Sequence, residues 1–179
     1  MLILPRKRES WPEFFMRLAF TAATRSTCNR RKVGAVAIRE KRVIATGYNG
    51  APRGSKHCTG SKCYREQNNI PSGEREERCW AVHAEQNILA QCARFGINIE
   101  GCALYCTTKP CVTCLKMLIN SGVDKVVYYY DYPSTSFYDE VAESDYIQLV
   151  QLSNVTDTFK ETVVQALQQA NGVSVIETK

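Results

Sequence analysis

Apolar positions recur at two different periods along this chain of 179 residues. Between Trp11 and Thr27, in WPEFFMRLAFTAATRST, Phe14, Phe15, Leu18, Ala19 and Ala22 fall at the spacing of one helix face. Ser10 stands where it can cap that helix, with Pro12 in the first turn. VGAVAIRE and RVIATGYNG then alternate on either side of Glu40–Lys41, which predicts a hairpin. Residues 50–80 are polar and punctuated by Gly and Pro. A stretch that long is not a bare connection, so it is expected to be functional or tied down. HAEQNILAQCARFG predicts a helix ending at Gly96, CALYCTT a buried strand, CVTCLKMLINSG a helix closed by Gly122, and DKVVYYY another strand. That alternation implies parallel neighbours in a layered α/β sheet. After a Tyr/Ser-rich loop come DYIQLVQL, a helix near Asp157–Asn171 and a short terminal strand, GVSVIE. The pattern reads as one domain over residues 1–179, with a motif-bearing core over 10–135 and a C-terminal extension over 136–179.

Composition narrows the class. Hydrophobic content of 44% and charged content of 23% are those of a globular protein. MLILPRKRES puts a short apolar start before its basic cluster, the reverse of an export signal, and no apolar run approaches the ~18 residues of a membrane span. A cytoplasmic protein without membrane contact is expected. A net charge of +5 is modest. It suits attraction to phosphate but argues against a nucleic-acid partner, because a strand-binding groove calls for a longer basic tract with stacking aromatics. Nine cysteines are many for such a chain and point to metal ligation or catalysis rather than a disulfide framework. Cys92, Cys102 and Cys106 fall inside periodic segments as small buried hydrophobes. Cys28, Cys58, Cys63, Cys79, Cys111 and Cys114 fall in loops or at element ends.

The chemistry centres on TTKPCVTCLKMLINSG. Pro110 suits a helix's first turn, and Cys111 and Cys114, three apart, then share one side of a helix start, where the dipole favours thiolates. A redox dithiol would use the same geometry. A structural finger would need a second Cys pair or a following His pair, and neither occurs after Cys114. Upstream, His83-Ala84-Glu85 also opens a helix. If the two helix starts converge, His83, Cys111 and Cys114 offer Zn2+ three ligands and leave one position open, as catalysis requires. Glu85, too near His83 for an easy fourth ligand, can reach a water in that position. His-x-Glu followed by Pro-Cys-x-x-Cys is the general signature of zinc nucleobase deaminases, with the glutamate as acid and base.

On VGAVAIREKRVIATGYNGAPRG, on SGERE, and on the run from HAEQNILAQ through KPCVTCLKMLINSGVDKVVYY, the chain resembles the deoxycytidylate (dCMP) deaminases of the cytidine deaminase-like zinc superfamily. The resemblance covers residues 10–135 and is poor beyond them. It implies a three-layer α/β/α fold around a mixed five-stranded sheet, hydrolysis of dCMP to dUMP and ammonia, and a homohexamer. It also implies roles for particular residues. The Ala84 N–H is expected to hold the base O2, the Lys109 carbonyl the exocyclic amine, and Asn49 the sugar. Arg30 and Arg31 are candidates for the 5′-phosphate, and Tyr132 is expected to pack on the nucleotide. Gly50 and Arg53, in GYNGAPRG, are expected at an effector phosphate, with dCTP activating and dTTP inhibiting, each with Mg2+. Some phage-type relatives hold a second, structural zinc through cysteines matching Cys28 and Cys58. Their other two ligands fall on Gly73 and Ala81, so Cys63 and Cys79 would substitute here, with His57 as an alternate. Two other readings stay open: deamination of a different base, nucleoside or strand, and a competence-type nucleotide-binding protein without catalysis.

Overall fold

The computed structural model describes residues 8–58, 63–133, 136–143 and 145–171. The expected terminal strand GVSVIE lies outside these, as does most of the basic N-terminal cluster. Helix α1 (Trp11–Ala23) starts as the sequence predicts. Ser10 caps it, Glu13 completes the capping box, and Pro12 lies in the first turn. It ends four residues earlier than the periodicity suggests. Thr24 Oγ1 turns back to the Thr21 carbonyl, and Ser26 is drawn into a buried hydrogen bond with Asn49.

Strands β1 (Gly34–Arg39) and β2 (Arg42–Tyr48) form the expected hairpin, with Glu40 and Lys41 both at positive φ. The 50–80 stretch holds a short helix α2 (Tyr64–Gln67) and a 3-10 turn at Glu76–Arg78. It is tied down as expected. Arg65 Nη2 donates to the carbonyls of Pro71 and Glu74, and the Trp80 indole donates to the Lys56 carbonyl. Then follow α3 (Ala84–Phe95), β3 (Ala103–Thr108), α4 (Val112–Asn120), β4 (Lys125–Tyr130), α5 (Ser136–Ala142), β5 (Gln148–Gln151) and α6 (Asp157–Asn171). Gly96 and Gly122 follow α3 and α4 in left-handed conformation, as the sequence indicated. α5 replaces part of what reads as an irregular Tyr/Ser-rich loop. Tyr138, only 3% exposed, is the reason, since it seats that turn in the core.

The sheet runs β2-β1-β3-β4-β5, antiparallel on either side of β1 and parallel from β3 to β5. Alternation along β1 builds two cores: Ala35 and Ala37 face Ile88 and Leu115 of α3 and α4, while Val36 and Ile38 face Phe15 and Phe20 of α1. Phe159 and Val163 of α6 join the second. The result is a three-layer α/β/α arrangement around a mixed five-stranded sheet. The segment beyond residue 135 supplies its last strand and two helices, α5 on the α3/α4 face and α6 on the α1 face. Among the described residues no helix is long and apolar enough to cross a membrane.

One contact sets the site's position. A Cβ on Gly47 would lie 2.3 Å from the Ala84 carbonyl oxygen and 2.8 Å from Ile88 Cγ1, so the start of α3 rests directly on β2. Gly47→Ala must push α3 outward and His83 with it. We expect a loss of roughly 1–3 kcal/mol together with lowered zinc content. Thermal unfolding and metal analysis check this, and unchanged values in both would refute the contact's role.

Candidate active site

The starts of α3 and α4 meet at one point. His83 is the N-cap of α3, in extended backbone, and its N–H is held by Gln86 Oε1 at 3.0 Å. The segment before it is pinned to the end of β2, because Val82 and Gly50 exchange backbone hydrogen bonds of 2.8 and 3.1 Å. At α4 the structure corrects one expectation. Pro110 does not lie in the first turn; Cys111 is the N-cap, Cys114 the third helical residue, and Pro110 precedes both, fully buried. Extended backbone at Cys111 lets its sulfur turn toward His83 beside that of Cys114.

His83 Nδ1 lies 3.5 Å from Cys111 Sγ and 3.5 Å from Cys114 Sγ. With zinc–sulfur bonds of about 2.3 Å and zinc–nitrogen bonds of about 2.0–2.1 Å, the N···S edge of a tetrahedron is about 3.5 Å. Both N···S edges therefore match those of a zinc site. Among the described residues this is the one group that brings three such ligand atoms within 4.8 Å of one another.

The electrostatics are those of groups competing for protons in a dry place. The Cys111 thiol is pushed well down, first by its hydrogen bond with Cys114 and then by His83, against the effect of burial. Cys114 goes the opposite way, because the Cys111 thiolate and burial both disfavour a second charge. Burial opposes an imidazolium at His83, but hydrogen bonds to Cys111 and Cys79 and the charge of Glu85 hold it up at about 11. A divalent cation would take the place of these protons. Glu85 is 3% exposed, and burial raises its carboxyl above the ordinary range.

A cleft opens over His83, Glu85 and Cys111. Its walls carry Arg30, Arg31, Arg65, Arg78 and Lys109 against one acid, Glu85. Arg30 Nη1 and Arg65 Nε are buried without a hydrogen-bond partner. Ala84 lines the cleft too, and its N–H lies ahead of the first helical bond, Asn87 N–H to the His83 carbonyl at 2.9 Å. Lys109 lines it as well, with an ammonium committed to Asp131 at 3.7 Å and to the Tyr138 ring at 4.5 Å.

Asn49 borders the cleft, yet most of its amide is spent. Oδ1 accepts from Ser26 Oγ (2.6 Å) and Val33 N–H (2.8 Å), and Nδ2 donates to the Arg31 carbonyl (2.9 Å). One N–H is left for a ligand. Gly50 and Arg53 do not line the cleft: Gly50 is occupied by Val82, and Arg53 is exposed.

Cys28, Cys58, Cys63 and Cys79 all border the same cleft. Burial, then the charges of the other three, raise the Cys58 thiol, so the four are gathered although not at ligand spacing. His57 is exposed, its Nδ1 3.2 Å from Thr27 Oγ1. Sequence reasoning missed Glu76, which reads as one charge in the run EREER. It is partly buried beside Cys111 and Tyr132, with its pKa pushed up to about 7 by burial and then by Cys111. Only the folding of the loop back onto the site reveals it.

A His-Cys-Cys tripod on two helix starts, facing a cleft and backed by a buried glutamate, is the constellation of the zinc nucleobase deaminases. Residues 9–130 match the family described as the cytidine and deoxycytidylate deaminase zinc-binding region, and the chain belongs to that family. The deoxycytidylate deaminase of Schizosaccharomyces pombe is 39% identical over 82% of this chain, which spans 45% of that relative's length. The deoxycytidylate deaminase of Mycobacterium phage D29 is 43% identical over 68% of the chain and 95% of its own length. The dCMP deaminase of cyanophage S-TIM5, solved in complex with dCMP and dUMP, superposes with a TM-score of 0.60 at 29% identity, over 78% of this chain and 95% of that one.

Proposed function

We propose that this chain hydrolyses dCMP to dUMP and ammonia. The observation that carries the reading is the pair of 3.5 Å contacts from His83 to Cys111 and Cys114, beside a buried Glu85, in a cleft whose other charged lining residues are all Arg or Lys. His83, Cys111 and Cys114 would hold zinc, which supplies a Lewis acid and a water that ionises near neutrality.

Glu85 accepts the proton of the attacking water, passes it to N3 of the cytosine, and later protonates the leaving amine. The C4–O bond forms, the C4–N bond breaks, and one water is consumed per ammonia released. The Ala84 N–H holds the base O2 and the Lys109 carbonyl accepts from the exocyclic amine, so uracil, lacking that donor, is the weaker ligand. The remaining Asn49 N–H meets the sugar. Arg30 and Arg31 meet the 5′-phosphate, which would give the orphaned Arg30 nitrogen its partner. Ammonia release from zinc-loaded protein, with dCMP, dCTP, cytidine and tRNA side by side, tests this. Release from the polynucleotide but not from dCMP would replace the reading with strand editing. The buried acid speaks against a competence-type binding protein, which has no use for an unliganded carboxylate in the cleft.

Activation by dCTP and inhibition by dTTP with Mg2+, through Gly50 and Arg53, belong to the same reading, as do a homohexamer and a cytoplasmic location. Effector titrations and a sedimentation measurement address them. The four gathered thiols would hold a second, structural zinc that draws the 58–79 loop together. Metal analysis is expected to give close to two zinc per chain, and a value of one removes the second site.

A further inference from the structure

Tyr132 follows β4 at the cleft wall, where a nucleotide contact is the obvious role. Its polar atom is already engaged. The hydroxyl accepts the Gly73 N–H at 3.0 Å and donates to Glu76 Oε1 at 3.0 Å, which locks the phenol between the 71–79 loop and the strand exit. The ring then offers a fixed face, and the Arg31 guanidinium rests over it, 5.2 Å from the centroid. Arg31 is fixed at its other end as well, where its carbonyl accepts from Asn49 Nδ2 at 2.9 Å. Arg31 makes no ion pair with a carboxylate of the described residues. It borders the cleft beside Arg30.

We propose that Tyr132 and Glu76 are positioning residues that hold the Arg31 guanidinium ready for the phosphate monoester of a nucleotide, and that Tyr132 does not itself bind substrate. The inference rests on the reading of Arg31 as a phosphate ligand. A free arginine must give up side-chain freedom when it meets an anion. One already stacked and tied down has lost that freedom before the ligand arrives, so binding tightens without new contacts. The benefit appears in affinity, and the chemical step at Glu85 is untouched.

A double-mutant cycle on the zinc-loaded full chain separates the possibilities. Arg31→Gln is expected to raise KM for dCMP roughly 10- to 100-fold, the range for losing a charge-assisted hydrogen bond. Tyr132→Leu, which removes the ring face, is expected to raise KM roughly 5- to 30-fold, with kcat changed less than about twofold. Tyr132→Phe and Glu76→Gln, which loosen the lock but keep the ring, should each give roughly two- to fivefold. In the Arg31→Gln background, Tyr132→Leu should add less than about twofold. Full additivity would overturn the proposal, because it would mean that Tyr132 acts on the ligand independently of Arg31. An unchanged KM in Arg31→Gln would instead overturn the phosphate reading beneath it. Calorimetric binding of dUMP gives the same ranking without turnover. If Tyr132→Leu fails to fold, Tyr132→Phe completes the cycle.

Discussion

For the proposed dCMP hydrolysis, replacing Glu85 with Gln is expected to lower turnover about 10,000-fold, the upper end of what one positioned acid–base group contributes and about 5.5 kcal/mol in barrier height. Zinc content and dUMP affinity should stay as they are. Glu85 is 3% exposed and sits two residues from His83. The amide fills the same space, so the tripod and the cleft keep their shape, but it can neither take a proton from water nor return one to the leaving amine. Ammonia release, metal analysis and calorimetry measure the three quantities. Turnover within tenfold of the wild type would sink the mechanism, and zinc lost together with turnover would make Glu85 structural.

Glu13→Gln should have the largest effect on stability. The carboxylate is 4% exposed and joins two helix starts. Oε2 accepts from Ser10 N–H (3.1 Å) and Ser10 Oγ (2.8 Å) at the head of α1, and Oε1 accepts from Thr156 N–H (2.7 Å) just before α6. Burial works against the charge, but the Thr156 and Ser10 hydrogen bonds outweigh it and hold the pKa down at about 2 rather than 4.5.

The folded pKa lies below the unfolded one, so the contribution is complete above about pH 4.5 and is lost as pH falls toward about 2. Its size is roughly 3 kcal/mol, which in a chain of this length lowers Tm by roughly 6–12 °C. Thermal unfolding of both proteins at pH 7 and pH 3 checks it. The gap should narrow at the lower pH. An equal gap at both would assign the loss to packing instead of charge.

The zinc tripod was legible in the sequence because each ligand stands at a helix start, and helix starts announce themselves locally through proline, capping residues and the onset of periodicity. The hairpin was legible for a related reason, since alternation changes phase at Glu40–Lys41. The remaining parts of the site depend on residues that meet across long separations. Asn49 looks like a free amide in GYNG, yet Ser26, Val33 and Arg31 take most of it once β2 lies beside the 26–33 segment. Glu76 reads as solvated charge until the loop folds back and Tyr132 meets it from 56 positions away. Tyr138 turns an apparent loop into α5 only because a pocket in the core accepts it.

The sequence alone determined the hairpin, the order of the main helices and strands from α1 to β4, the two helix starts that supply His83, Cys111 and Cys114, and the acid standing beside them, because capping and periodicity act within a few residues. Tertiary structure alone decided which side chains around that centre are free to meet a ligand. Hydrogen-bond partners distant in the chain, such as Thr156 for Glu13 and Glu76 for Tyr132, leave no periodic trace, and only the closed fold shows which donors and acceptors are already spent.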